Sequence, residues 1–210
     1  MGRTKLSLVL EDFEAETKRA VRLTQSLNYA RGVRRGRFTQ TQYEMVVELA
    51  YLRGYLAWES FLEQSFLLYM LGKSAPSGFL PQRYALPMNR QHAWEIAKGD
   101  QRYPDWTAAD KVVARANRFM KDGEPFALAL RSMQSDLQDM KTIRNSIAHQ
   151  SQETNDPFRL VVRKVLGYYP AGMTVGGFLD TPHPVTAPQI TLLEHYLALL
   201  LQTARLITPK

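Results

Sequence analysis

Cysteine is absent from the 210 residues, which removes disulfides, thiolate metal sites and cysteine nucleophiles together. Histidine is scarce: His92, His149, His183 and His195 are the four present. No two stand at helical ligand spacing, so a metal site would have to be assembled from distant segments, and the expectation is metal-independent function without a cofactor. Long apolar runs are missing too. Leu197 to Leu201 is far too short to cross a bilayer, which takes about 20 residues, and no N-terminal stretch has the basic, apolar and small-residue succession of a signal peptide. A cytoplasmic protein with no membrane partner is expected. Internal repeats and low-complexity tracts are also lacking.

What is present is an ordinary globular composition. A hydrophobic content of 45% in a chain of this length can bury a sizeable core and predicts one domain over 1–210. The formal net charge of +7 favours a polyanionic partner, because phosphate-neutralising side chains gain affinity through counterion release. The excess is concentrated where Arg31, Arg34, Arg35 and Arg37 fall beside Gly32 and Gly36, and the rest of the chain is close to balanced.

The apolar periodicity predicts helices. Over about 4–31, Leu6, Val9, Phe13, Ala20, Leu23 and Leu27 recur at helical intervals. Thr41 to Glu44 has the spacing of a capping box. After it, Tyr43, Val47, Ala50, Gly54, Ala57, Phe61, Ser65 and Leu68 form a packing seam over 42–71, which Gly72 ends with a left-handed cap. Residues 73–123 are broken by proline and glycine into short pieces, helices at 89–98 and 107–121, and read as an inserted cap in which Trp94, Tyr103 and Trp106 form a small core of their own. A third long helix is expected over 124–149, with Leu130, Met133, Leu137, Met140 and Ile147 on its seam. The excursion 150–186 holds a helix near 156–167 and a short strand around Met173 to Leu179. Thr186 to Gln189 again has capping-box spacing, and a last helix follows over 187–207. The fold class is therefore all-α, a four-helix bundle with an inserted helical cap between the second and third long helices. Apolar residues on additional faces, Tyr51, Tyr55, Trp58, Phe66 and Tyr69 in the second helix with Leu192, Tyr196, Leu199 and Leu201 in the last, predict a homodimer.

Chemistry is concentrated in Ile143-Arg144-Asn145-Ser146-Ile147-Ala148-His149. A permanent cation, an amide and a side chain that titrates near neutrality can together hold a phosphodiester and move its protons. Asn145 and His149 share a helix face with Lys141 a turn earlier, while Arg144 is about 100° round from Asn145. Arg144 falls on an apolar seam, where it needs an anionic partner: a carboxylate such as Glu59, or a ligand's phosphate. The bland alternative is a histidine serving the helix C-terminus and an arginine in a structural ion pair. Lys141 and the arginine cluster 31–37 are candidate contacts to an RNA backbone.

The segment 143–149, together with Leu-Ala-Trp-Glu-Ser-Phe-Leu-Glu at 56–63, resembles the HEPN superfamily (higher eukaryotes and prokaryotes nucleotide-binding), whose mark is arginine followed after four to six residues by histidine, with a polar residue after the arginine. The resemblance implies a helical bundle that dimerises and a metal-independent endoribonuclease of toxin–antitoxin or phage-defence type. In that role Arg144 stabilises charge on the phosphorane, His149 transfers protons and Asn145 orients the phosphate or the histidine. A ribose 2′-hydroxyl attacks its own phosphate to give a cyclic phosphate and a 5′-hydroxyl. RNA, a second copy of the chain and an antitoxin or regulatory protein are the partners implied. Ser151 stands where some toxin members carry a tyrosine that a partner nucleotidyltransferase modifies. Two rivals remain: a non-catalytic HEPN module that binds RNA, a nucleotide or a partner protein, and a structural helical adaptor.

Overall fold

The computed structural model describes residues 4–33, 38–149 and 152–210. Arg34, Arg35, Arg37 and Ser151 lie outside the described residues, as does the side chain of Arg31. The fold is all-α. Nine helices occur among the described residues: α1 Leu6–Val33, α2 Gln40–Met70, α3 Arg90–Lys98, α4 Ala109–Phe119, α5 Phe126–Ser132, α6 Gln134–Ala148, α7 Gln152–Leu166, α8 Val175–Asp180 and α9 Leu192–Ile207. They belong to two compact units.

The first unit takes the chain up to Glu14, Ala57–Gln138 and Leu200–Lys210. Its core is aromatic: the Phe13 ring lies 5.8 Å from Trp58 and 5.4 Å from Phe61, and Phe66 lies 5.4 Å from both Trp106 and Phe126. Tyr69 is fully buried and donates to the Ile207 carbonyl at 2.7 Å, so its polar atom is satisfied. Gly72 ends α2 with φ +76°, and the Lys73 N–H donates to the Leu68 carbonyl at 3.0 Å, the six-to-one bond of a Schellman cap. Arg83 donates to the Met70 carbonyl at 3.0 Å and takes up another free acceptor of that helix end. Trp94, Tyr103 and Trp106 do not form a core of their own. Trp106 packs on Phe66 under the Arg115 guanidinium, whereas Tyr103 is exposed. The expected third long helix is interrupted at Met133, so that α5 and α6 are separate. There the Ser132 hydroxyl bonds the Ala129 carbonyl, a local competitor of the helix ladder that an apolar seam does not register.

The second unit comprises Ala15–Leu56 and Asp139–Leu199. Both expected capping boxes are present but shifted in register. Thr39 and Gln42 exchange side-chain and backbone bonds at 3.2 and 2.9 Å ahead of α2, and Thr191 and Glu194 do the same at 2.9 and 3.2 Å ahead of α9. α9 accordingly begins at Leu192, after a loop closed by the His183 N–H to Ile190 carbonyl bond of 2.8 Å. The expected strand is instead the short helix α8. Thr174 caps it by accepting from the Gly177 N–H at 2.9 Å, and Phe178 and Leu179 are buried. α8 lies close against α2: a methyl at Gly176 would stand 2.5 Å from the Glu44 carbonyl oxygen. The apolar residues that argued for a dimer are largely interior, with Tyr51, Tyr55, Trp58, Phe66, Tyr69, Leu192 and Tyr196 all buried and Leu199 and Leu201 half-buried. No helix among the described residues is long and apolar enough to cross a membrane.

Candidate functional site

The candidate residues stand on the last turns of α6, in the second unit. Met140 and Ile143 are fully buried and fix which face of the helix is inward. Tyr51, itself buried, donates its hydroxyl to the Met140 carbonyl at 2.8 Å. Burial pushes its phenol well above the ordinary value, so it stays a donor over the whole working range. The buried line runs through Ile143, leaving Arg144 half-buried beside it, where a seam position had been expected. Lys141 and Asn145 are half-buried as well, while Ala148 and His149 are exposed.

Arg144 donates from Nη1 to the Asn145 side-chain oxygen at 3.3 Å, which leaves the amide nitrogen of Asn145 as the group to meet an incoming acceptor. Lys141, Asn145 and His149 follow at four-residue spacing along one face. Ala148, four residues beyond Arg144, keeps the surface over the guanidinium low. His149 is the first residue past α6. Its N–H closes the last turn on the Asn145 carbonyl at 2.8 Å, and its own carbonyl accepts from the Thr154 hydroxyl of α7. The Ser146 hydroxyl lies 3.0 Å from the Thr142 carbonyl and 3.1 Å from the Thr154 carbonyl, tying the start of α7 to α6. Thr154 and Ser146 thus tie the backbone around His149 to the start of α7. Neither is distinguishable in the sequence from an ordinary helix hydroxyl.

Glu59 is a half-buried residue of α2 in the first unit. The arginines 34, 35 and 37, and the side chain of Arg31, lie outside the described residues. His183 and His195 stack with ring centroids 4.0 Å apart, and the His183 Nδ1 accepts from the Val185 and Thr186 N–H groups at 3.2 Å each. That contact between distant segments was invisible to spacing. No three histidine, aspartate or glutamate side chains converge as a metal would need among the described residues.

A polar cavity of about 490 Å³ opens on the other side of the same helix end, bordered by Ser146 and Ile147 of α6, Asn155 and Arg159 of α7, Glu48 of α2 and Tyr169 of the loop before α8. Glu48 is half-buried and accepts the Gly176 N–H at 2.9 Å. Burial pushes its carboxyl above the ordinary value against the lowering effect of that bond, and the charge of Glu44 adds to the rise. Glu44 accepts from the Thr174 hydroxyl at 2.7 Å. The Arg159 guanidinium lies over the Tyr169 ring, 5.2 Å from its centroid, with Asp156 beside it at 4.0 Å. In the sequence Glu44 and Glu48 have the spacing of a solvated helix face, and only the arrival of α8 turns them inward. No family model, curated protein or solved structure matches this chain.

Proposed function

We propose that the chain is a metal-independent endoribonuclease of HEPN type, acting in a toxin–antitoxin or phage-defence setting, with Arg144, Asn145 and His149 at its site. The observation that carries the reading is the end of α6: an exposed imidazole just past the helix, and a guanidinium and amide bonded to each other one turn before it. A phosphodiester lying across that end meets the Arg144 charge and the Asn145 amide donors, with Lys141 on the same face for a neighbouring phosphate. His149 then takes the proton of the 2′-hydroxyl. As imidazolium it returns one to the 5′-oxygen leaving group, in the same subunit or across a dimer. The dimer and the antitoxin rest on the resemblance alone, since the faces that argued for pairing are largely interior, and a cytoplasmic location is the expectation from composition.

The test is cleavage of single-stranded RNA in the presence of a chelator. Arg144→Ala and His149→Ala each lower the rate by two orders of magnitude or more, on the scale of about 10²–10⁴ for a positioned acid–base group, with circular dichroism and sedimentation unchanged. Cleavage that persists in both variants removes the reading. RNA that binds without being cut, with affinity kept in His149→Ala and lost in Arg144→Ala, leaves the non-catalytic module.

A further inference from the structure

The cavity bordered by α6, α7 and Glu48 has an uneven lining. It includes a half-buried carboxylate, Glu48, and an exposed guanidinium, Arg159, that rests on an aromatic ring. At about 490 Å³ it is far larger than an ion needs and within the usual range of about 300–1,000 Å³ for small-molecule sites. An apolar ligand would strand the Glu48 carboxylate. The occupant therefore carries hydrogen-bond donors for the carboxylate and an anionic group for the guanidinium.

We infer that this cavity binds a guanine nucleotide, the Glu48 carboxylate accepting from N1–H and the 2-amino group and Arg159 meeting the phosphate. Guanine is the one common base whose Watson–Crick edge offers two adjacent donors to a carboxylate fork. Adenine and cytosine set a ring acceptor against it, and uracil flanks its single donor with two carbonyls. Glu48 already accepts the Gly176 N–H, but a carboxylate has about four acceptor sites and keeps room for two more bonds. The Arg159 guanidinium, which lies over the Tyr169 ring, supplies the charge for the phosphate. Burial holds the Glu48 carboxyl above its ordinary value even with the Gly176 N–H bonded to it, so further donors there are favourable.

The inference rests on the ribonuclease reading only for the site's use. An α-helix is about 10 Å across, so a strand passing over the end of α6 can seat one base here and present the adjoining phosphodiester to Arg144 and His149.

The experiment is calorimetric titration of the His149→Ala protein, in which cleavage plays no part, with the 5′-monophosphates of guanosine, inosine, adenosine, cytidine and uridine. The guanosine nucleotide binds about tenfold or more tighter than adenosine, cytidine or uridine nucleotides, with inosine, which lacks the 2-amino group, between them. Glu48→Gln keeps an acceptor for Gly176 but adds a donor against N1–H, and loses that preference. Arg159→Ala, a change at an exposed side chain, weakens the nucleotide and leaves the nucleoside guanosine unaffected. A short RNA with a single guanine, compared with adenine at the same place, identifies the source: preference in the RNA means a base of the substrate, and preference in mononucleotides alone means a free nucleotide. Equal affinity for all five, or wild-type guanine preference in Glu48→Gln, overturns the inference. Guanine binding without any RNA cleavage by the wild-type protein retains the pocket and sinks the nuclease, and cleavage without guanine preference does the reverse.

Discussion

The Thr154 hydroxyl anchors the backbone of His149 by donating to its carbonyl. Thr154→Val keeps the shape and removes the bond. In the proposed reading it lowers kcat on the order of tenfold with little change in KM, since misplacing a catalytic group by about 1 Å can cost up to about a hundredfold. A kcat equal to wild type shows that the bond does not position the imidazole. Glu48 allows a test that needs no activity. Its folded carboxyl is raised, so the folded state holds the proton more tightly than the unfolded chain, and this group's contribution to stability falls as pH rises from the unfolded value through the folded one. Glu48→Gln has no such term. Urea unfolding of the two proteins at pH 7 and at pH 4 will show the variant gaining on the wild type at the higher pH. A difference that does not move with pH argues that Glu48 is not held in a desolvated place.

Two glycines distinguish kinds of close approach between helices. At Gly176 an added methyl meets the backbone oxygen of Glu44 at 2.5 Å, and backbone cannot step aside. Gly176→Ala costs about 1–3 kcal/mol in urea unfolding, as overpacking does. At Gly54 the methyl meets only the Leu197 side-chain end at 2.4 Å, a group that can rotate. There the gain of about 1 kcal/mol in helix propensity offsets much of the strain, so Gly54→Ala is near neutral. Equal losses in the two variants would contradict this ranking. The same contrast shows what the sequence could reveal. Helix existence was legible from apolar spacing, and the α2 cap at Gly72 from composition, because both are local. The capping boxes were found in kind and missed in register, since Thr39 and Thr41, or Thr186 and Thr191, offer equivalent patterns and only the bonds choose between them. At the break near Met133 and at the start of 175–180 stand single hydroxyls, Ser132 and Thr174, whose backbone bonds carry no periodic signal. Of the candidate site, Lys141, Arg144, Asn145 and His149 were legible because one helix carries them. The cavity was not, because Glu48, Ser146, Asn155, Arg159 and Tyr169 meet only after three helices and a loop are in place.

At the scale of the whole chain, charge separates binding from stability. Several described acidic residues stand in exposed or half-exposed pairs: Glu14 with Arg205 and Lys210, Glu16 with Arg19 and Arg53, Asp105 with Lys111, Asp139 with Lys164. Such pairs contribute little to folding, with a median of about 0–1 kcal/mol, and screening them changes stability little. In the proposed reading the surplus of +7 serves a polyanion, where each neutralised phosphate releases a counterion. If Arg31, Arg34, Arg35 and Arg37 each meet one phosphate of a single strand, raising salt from about 50 to about 200 mM lowers RNA affinity on the order of fiftyfold, and alanine at all four reduces the log–log salt slope by about 3. The thermal midpoint should hardly move over the same range. Filter binding across the salt series, with a melting curve at each point, separates the outcomes: an unchanged slope in the fourfold variant frees the cluster from any RNA role, and a midpoint that falls in step with affinity means that salt is acting on the fold.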